Sequence, residues 1–295
     1  MSLEGMLSAI RSLILDRMDL PESIEDRARL YQTSFPELSP DEVADLSNVT
    51  PSKLRIYTQT IFAGERSTLK THFPMTFGLL KQRFDAELDT FELVRDLHEK
   101  RPWKSYLTAG LAANFARYLD LDRPDIKAKI PEIGDVANLE RLTLAIARGK
   151  DSPLRPTELL TTEALETITV GDLLEKRAVF APYVRRSAFA FDAVAFRDEF
   201  WENGREVPEH PVLPGELFAI GGRTRALAVE WLRVSLPIFE FAEANKEMEF
   251  ALGDLAESFV AGEDESVEQS VLFLRFLDLL KTAMAYGIIL VKTEG

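Results

Sequence analysis

The side chains that most often carry catalysis or bind metals are scarce in this chain. It contains no cysteine and only three histidines, His72, His98 and His210. The absence of cysteine excludes disulfides, thiol nucleophiles, iron–sulfur clusters and thiolate zinc sites. No two histidines have the three- or four-residue spacing that places two ligands on one helix face. We therefore expect no histidine metal site and interpret each histidine as a surface or packing residue.

Carboxylates are abundant, with 49 Asp and Glu residues, so acid pairs at close spacing arise by chance. Glu199 and Glu202 lie three residues apart on a predicted helix, as do Glu240 and Glu243. An acid–base pair has this spacing, but so does any exposed acidic helix face. Gly221-Gly222 is an isolated pair without the rest of a phosphate-binding loop. No Gly-x-Ser-x-Gly nucleophile motif is present. The sequence therefore predicts no catalytic residue, no cofactor and no metal, and indicates a protein that is not an enzyme.

Composition limits the partners that this chain can have. Its 295 residues suggest two domains, and 46% hydrophobic residues allow a substantial buried core. The apolar runs are too short to cross a membrane, and the first residues lack the pattern of a signal peptide. We therefore expect a cytoplasmic protein without a membrane partner. The net charge of −14 disfavours binding to nucleic acid, and the second half of the chain is the more acidic.

The N-terminal half has the hydrophobic periodicity of successive helices. Ser39-Pro40-Asp41-Glu42 is a typical helix start, with a capping serine, a proline at the first helical position and acids in the first turn. Thr50-Pro51 repeats this start, and Pro74 is expected to end or bend the long helix that follows. Further helices are predicted from apolar repeats within 3–17, 84–98, 103–119 and 131–147. These faces predict a helical bundle over residues 1–150.

The character of the chain changes after the polar, proline-containing segment from Lys150 to Pro156, which is the best predicted domain boundary. Beyond it, short strands, helices and a hairpin are predicted. The strands are 178–181, 187–191, 216–220, 225–234 and 288–292, with Gly221-Gly222-Arg223-Thr224 as the hairpin turn. The helices are 192–201 with Asp192 as its cap, 236–260 and 266–286. This order predicts a small α+β module over residues 160–295, of winged-helix-like size. The fold class is therefore mainly α, with a helical bundle followed by this module.

Charge bears on whether a winged-helix-like module would bind DNA. The predicted helix after the hairpin is strongly acidic, although a helix in the major groove needs basic side chains to contact phosphates. Its charged residues are Glu240, Glu243, Glu247, Glu249, Asp254 and Glu257, against a single Lys246. Five arginines form a contrary basic cluster in the sequence: Arg185, Arg186, Arg223, Arg225 and Arg233. Arginines also bind acidic peptides, so this cluster favours neither partner by itself.

The segment from Leu54 to Gly149 resembles a bacterial family first described as a DNA-binding domain, the HvfC/BufC-type family. The related methanobactin-pathway partner subunit shares the pattern. The matching features are a helix with Leu54, Tyr57 and Leu69, the Phe73-Pro74 break, and the later segments 115–119 and 130–140, the second ending in Leu139-Glu140. Residues beyond about Phe180 follow the second domain of the family more loosely. The chain has Tyr57-Thr58-Gln59-Thr60 where the family has Tyr-Arg-Asn-Asn, and a Pro-rich Tyr-Gly segment is replaced by residues 106–110.

The resemblance implies a non-catalytic partner subunit. Proteins of this family are encoded with multinuclear non-haem iron oxidative enzymes, which modify cysteines of ribosomally made precursor peptides. The partner subunit stabilises the enzyme and presents the peptide, which a winged-helix-like element binds as an added strand. On this basis residues 1–150 are expected to dock the enzyme and residues 160–295 to bind the peptide. The alternative is a DNA-binding protein or transcriptional regulator.

A peptide site can be assigned to one strand as a hypothesis. If the peptide binds by strand addition, the predicted strand from Arg225 to Val234 is the expected site. Val229, Trp231 and Arg233 share one of its faces by alternation. The other interpretation of Val229 and Trp231 is burial in the core of the module itself.

Overall fold

A computed structural model describes residues 9–10, 12–13, 20–85, 88–101, 108–209, 214–264 and 266–293. Its described part is mainly helical, with thirteen α-helices and two three-stranded antiparallel sheets. This confirms a mainly α protein with a small amount of β structure. His210, most of the predicted helix within 3–17 and the start of the predicted helix within 103–119 lie outside the described residues. None of the described helices is long and apolar enough to cross a membrane.

The α-helices are α1 (Ile24–Ser34), α2 (Pro40–Ser47), α3 (Pro51–His72), α4 (Pro74–Leu79), α5 (Thr90–Lys100), α6 (Thr108–Arg117), α7 (Pro124–Lys129), α8 (Ile133–Ala147), α9 (Val170–Glu175), α10 (Ala193–Glu202), α11 (Leu236–Ala244), α12 (Leu252–Val260) and α13 (Gln269–Ala285). Two π-helical turns, Leu80–Phe84 and Tyr118–Asp122, and two 3₁₀ turns, Pro156–Glu158 and Glu163–Glu166, complete the helical structure. The strands are β1 (Arg177–Phe180), β2 (Arg185–Phe191), β3 (Pro214–Arg223), β4 (Val229–Val234), β5 (Glu249–Ala251) and β6 (Ile289–Val291).

The chain forms two compact units. The first contains the described residues within Met1–Thr71 and Glu87–Tyr118, and the second contains those within His72–Ala86 and Leu119–Gly295. Helix α8 therefore belongs to the same unit as both sheets. The docking and peptide-binding roles expected for residues 1–150 and 160–295 are not tested by this grouping and stay predictions.

The first unit is helical, and two of its helices, α2 and α3, begin where the sequence predicts. Helix α5 begins at Thr90, six residues after the start of the predicted helix 84–98, and α1 was not predicted. Ser39 accepts a hydrogen bond from the backbone N–H of Glu42, whose carboxylate accepts from the Ser39 N–H, which is a complete capping box. Helix α3 ends at His72, and a new helix starts at Pro74 as predicted. His98 is buried, with the ring of Phe62 stacked on it and the Glu65 carboxylate bonded to its Nε2. This histidine therefore packs in the core with a hydrogen-bonding carboxylate beside it.

The second unit contains both sheets. One has the strand order β2-β3-β4 and the other has the order β5-β1-β6, all antiparallel. Asp192 caps α10 as predicted, since its side chain accepts from the Ala195 N–H at 2.9 Å. The short predicted strands at 178–181, 187–191 and 288–292 are confirmed as β1, β2 and β6 within two residues at either end.

Helix α8 lies at the centre of this unit and packs against α4, α10 and the β2-β3-β4 sheet. Five of its apolar residues are fully buried, namely Ile133, Val136, Ala137, Leu139 and Ile146. Several of its polar side chains bond to neighbouring elements. Asp135 accepts from the N–H groups of Ala190 and Phe191 at 2.7 and 2.9 Å. Thr143 Oγ1 accepts from the indole N–H of Trp231 at 3.1 Å. When α8 packs against the sheet, it excludes water from polar groups of β2 and β4. Its own side chains replace that water as hydrogen-bond partners.

Two sequence predictions in this unit are wrong. Strand β3 continues through Gly221-Gly222 to Arg223, so the hairpin turn is Thr224–Ala228 instead of residues 221–224. The predicted helix 236–260 is two helices separated by strand β5. The turn was misplaced because the two glycines lie where other residues pack closely against both faces of β3. Hydrophobic periodicity does not reveal such close packing. In the second case, Phe250 is buried in the β5-β1-β6 sheet, and its apolar character also fits a helix.

Gly222 generates a stability prediction. A Cβ at Gly222 would overlap the backbone carbonyl of Tyr286 and lie 2.6 Å from Ile288 Cγ1. We expect Gly222→Ala to lower the free energy of unfolding by about 2 kcal/mol or more, because backbone atoms cannot yield easily. Gly64→Ala is the matched control, since nothing lies within 4 Å of that Cβ inside α3. It should stabilise by about 1 kcal/mol. Urea unfolding measures both, and equal effects would contradict the packing described.

Glu140 generates a pH prediction. Its buried carboxyl accepts from the N–H groups of Met75 and Thr76 at the start of α4, at 2.8 and 3.1 Å, and from Thr76 Oγ1 at 2.6 Å. Burial raises the pKa of Glu140 to about 8, although the hydrogen bonds with Thr76 and Met75 oppose this shift. Between its ordinary pKa of 4.5 and about 8, the folded state holds a proton that the unfolded state has lost.

Stability should therefore fall as the pH rises from about 5 to about 8, by at most about 1.4 kcal/mol per pH unit. Glu140→Gln keeps a neutral group at this position and should remove the slope. Urea unfolding across this pH range measures it, with the exposed Glu199→Gln as the control that retains the slope. A slope that persists in Glu140→Gln would refute the assignment.

Candidate functional site

The acid pairs, His72 and His98 do not come together in one site. Glu199, Glu202, Glu240 and Glu243 are all exposed on their helices. His72, at the end of α3, lies beside Arg148, and burial followed by the Arg148 charge lowers its pKa. Within the described residues, no group of three or more His, Cys, Asp and Glu side chains is placed to hold a metal ion. The edges of the two sheets carry backbone groups that can bind an extended chain.

The predicted peptide-site residues lie on β4, an edge strand paired on one side with β3. Trp231 is buried at 5% exposure against Thr143 and Phe189, so its side chain belongs to the core. Val229 is half-buried, and Arg233 is exposed and pairs with Asp192 at 3.1 Å. The structure places the three residues on one face as predicted, but it does not test whether they bind a peptide.

The hydrogen-bond alternation of β4 decides which of its backbone groups are available. The N–H of Thr224 donates to the carbonyl of Ala228 at 2.8 Å, which makes this a hydrogen-bonded pair. In an antiparallel ladder the pairs alternate, so the backbone groups of Val229, Trp231 and Arg233 point away from β3. The Val229 carbonyl is already bonded, because Arg197 on α10 donates to it at 2.6 Å. The outer edge of β4 is therefore partly covered by a side chain of the protein itself.

The outer edge of β6 is paired along only part of its length. The N–H of Ala181 donates to the carbonyl of Ile288, so alternation turns the backbone groups of Ile289 and Val291 outward. The Val291 carbonyl accepts from the N–H of Leu160 at 2.8 Å, and the Glu158 carbonyl accepts from Thr293. Residues 158–160 thus pair with β6 as a short added strand. The pairing ends there, and no backbone group in the described part of the chain bonds the outward groups of Ile289.

A groove with a volume of about 700 Å³ opens at this position. Apolar side chains form its floor and walls, including Leu159, Leu160, Ile289 and Leu227. The polar residues that line it include the buried Tyr183 and Arg223, the half-buried Thr162 and the exposed Asp151 and Arg225. Leu227 is 69% exposed at the rim. The volume falls within the range of about 300–1,000 Å³ that is typical of ligand pockets.

Arg223 holds one wall of the groove in place. Its guanidinium donates to the carbonyls of Ala147 and Gly149 at 3.0 and 3.3 Å and binds the Asp151 carboxylate. It also stacks on the ring of Tyr183, 4.6 Å from the centroid. Burial, opposed by the Arg223 charge, raises the pKa of the Tyr183 hydroxyl, which donates to the Arg223 carbonyl. The arginine therefore joins the end of α8 and the segment after it to the hairpin.

The five arginines of the sequence cluster have separate surroundings. Arg185 donates to the carbonyls of Pro182 and Val184, and Arg233 pairs with Asp192. Arg225 is exposed at the hairpin turn, whereas Arg186 is buried. The basic cluster of the sequence is therefore not one basic surface.

Sequence reasoning missed the residues that define the groove. The outward position of Ile289 depends on the register of β6, and the pairing of Leu159 and Leu160 with β6 joins residues more than a hundred positions apart. The one signal in the sequence is the apolar pair Leu159-Leu160, which follows the polar boundary segment.

No protein-family model matches this chain, and no curated protein sequence matches it. The resemblance to the HvfC/BufC-type family therefore rests on the residues quoted for it.

Arg223→Lys tests the wall of the groove. A lysine ammonium cannot reach two carbonyls and a carboxylate together, so we expect a loss of about 1–3 kcal/mol in unfolding free energy. Limited proteolysis should also cut more rapidly between residues 150 and 156. Arg225→Lys, at an exposed position of the same hairpin, is the control and should change neither property. Equal behaviour of the two variants would argue against this role.

Proposed function

We propose that this protein is a non-catalytic partner subunit that binds an extended precursor peptide and presents it to a multinuclear non-haem iron oxidative enzyme. The observation that carries the proposal is the groove beside β6. There, the edge that pairs with residues 158–160 continues to the unpaired outward groups of Ile289. An extended peptide in the groove would continue this strand pairing through its backbone. The apolar side chains of the groove would contact the side chains of the peptide. The resemblance supplies the enzyme and the precursor peptide.

The arrangement of the second unit supports a winged-helix-like module. The β3–β4 hairpin lies in the chain between α10 and α11, as a wing lies among the helices of that fold. The exposed Glu240 and Glu243 on the helix after the hairpin support a peptide over DNA, because phosphates would repel this face. DNA binding remains the alternative function, and steep weakening of any duplex binding by salt would identify it.

Complex formation tests the role of partner subunit. Co-expression with a multinuclear iron oxidative enzyme from the same genome, followed by affinity capture and size exclusion, should give a stable one-to-one complex that contains iron. A lone monomer that does not bind the enzyme would overturn the partner-subunit role and leave peptide binding to be judged by itself.

Peptide binding is tested with the labelled precursor peptide encoded beside that enzyme. Leu227→Ala removes an exposed apolar side chain at the groove rim, so it should weaken binding by at least about fivefold. Leu274→Ala is the matched control, because Leu274 is 61% exposed on α13 and does not line the groove. Its effect should stay within about twofold.

The same assay distinguishes β6 from the β4 edge with Val229, Trp231 and Arg233. Arg197→Met uncovers the Val229 carbonyl, so it should strengthen binding if the peptide adds to β4 and leave it unchanged if the peptide lies in the groove. Stronger binding by Arg197→Met together with no effect of Leu227→Ala would overturn the groove and support the β4 hypothesis.

A further inference from the structure

Arg186 on β2 has a buried side chain, and two of its three guanidinium nitrogens have no hydrogen-bond partner among the described residues. Its side chain is 7% exposed and lies over the ring of Phe180, with the guanidinium carbon 4.6 Å from the ring centroid. Its Nε and Nη2 atoms are buried and have no hydrogen-bond partner in the described part of the chain. A guanidinium has five N–H donors in a rigid fork, and buried donors without an acceptor are costly. A hydrogen-bond acceptor at this position would therefore be strongly favourable.

The nearest carboxylate does not supply it. Glu243 Oε1 on α11 lies 4.0 Å from Arg186 Nε, which is an ion pair but too long for a hydrogen bond. The Glu243 side chain is half-exposed, so it can turn into solvent. Arg185, the adjacent cation, is bonded to backbone carbonyls and adds positive potential. The site thus combines a buried cation with a displaceable anion.

The backbone beside Arg186 is also available. Alternation through β3 makes Arg185, Ser187 and Phe189 the hydrogen-bonded partners of β3, so the backbone groups of Arg186 and Ala188 point outward. The register shifts between Phe189 and Phe191, and there the N–H groups of Ala190 and Phe191 both donate to Asp135. Asp135 covers only that end of the edge. Among the described residues, no other strand pairs with the outer edge of β2.

We propose that the outer edge of β2 is a second binding site, which takes an extended peptide segment and receives an Asp or Glu side chain on the Arg186 guanidinium. The carboxylate accepts the unused N–H groups in a bidentate geometry, and Glu243 turns away. The peptide backbone pairs with the outward groups of Arg186 and with the N–H of Ala188, whose carbonyl already accepts from Ser187 Oγ at 3.2 Å. This site involves a different sheet edge from the β6 groove and does not rest on the proposed function.

The probe is acetyl-Thr-Val-Glu-Val-Thr-amide, with the corresponding Gln peptide as its control. Calorimetry should show that the Glu peptide binds at least about tenfold more tightly than the Gln peptide, because a charged hydrogen-bonded pair replaces an unmet buried cation. The ¹⁵N-detected Nε–H signal of Arg186 should shift on binding of the Glu peptide. Equal affinity of the two peptides, or no binding of either, would overturn the proposal.

Variants at three positions distinguish a peptide-binding role of Arg186 from a purely structural one. Ala188→Pro removes an outward N–H at an edge position that tolerates proline, so it should abolish binding while the protein stays folded. Arg186→Met removes the cation and should remove the preference for Glu over Gln. Glu243→Gln removes the competing carboxylate and should strengthen binding of the Glu peptide, whereas Glu240→Gln, on the same exposed helix, should not.

If Arg186 serves only as the partner of Glu243, then Glu243→Gln will destabilise the fold without strengthening binding, and the Nε–H signal will not respond to the peptide. Free glutarate distinguishes a small-acid site. Glutarate binding that matches the peptide in affinity and survives Ala188→Pro would overturn the strand-pairing part of the proposal.

Discussion

The second unit depends on the burial of helix α8. A buried helix brings polar side chains into a region without water, and each must find a partner among its neighbours. Here those partners are backbone and side-chain groups of other elements: the start of α4 for Glu140, the end of β2 for Asp135 and the indole of Trp231 for Thr143. These bonds join α8 to elements on both sides of it in the chain. The helix therefore determines where the β2-β3-β4 sheet lies.

The same helix explains why the outer edges of β2 and β4 are partly covered. Asp135 covers one end of β2, and α10, which packs on α8, carries the Arg197 that covers part of β4. Covered edges resist unwanted strand pairing. The edge of β6 is covered differently, by residues 158–160 of the chain itself, and the pairing stops at Ile289. Single side chains and short segments thus determine which outward backbone groups can pair with another strand. The result differs at each of the three edge strands, β2, β4 and β6.

Local signals predicted much of the helical structure correctly. The capping residues Ser39 and Asp192 and the break at Pro74 act through backbone geometry within a few residues, so their effect can be read without the rest of the fold. The hairpin turn was misplaced, because glycine favours turns but also allows close packing of a strand. At Gly222 the second property decided the structure, since Tyr286 and Ile288 lie against it. Likewise, Phe250 fits a helix by periodicity but is buried in a sheet.

Short-range signals in the sequence account for the starts of α2, α3, α4 and α10, the mainly α character, the lack of cysteine chemistry and the acidic surface after the hairpin. Each of these depends on composition or on neighbours within one helical turn. Only the tertiary structure decided which residues are exposed at a sheet edge. Trp231 and Arg186 both lie on strands, yet one is a satisfied core residue and the other a buried cation without an acceptor. The difference comes from partners brought together by folding, and their identity depends on strand register and helix packing over tens of residues.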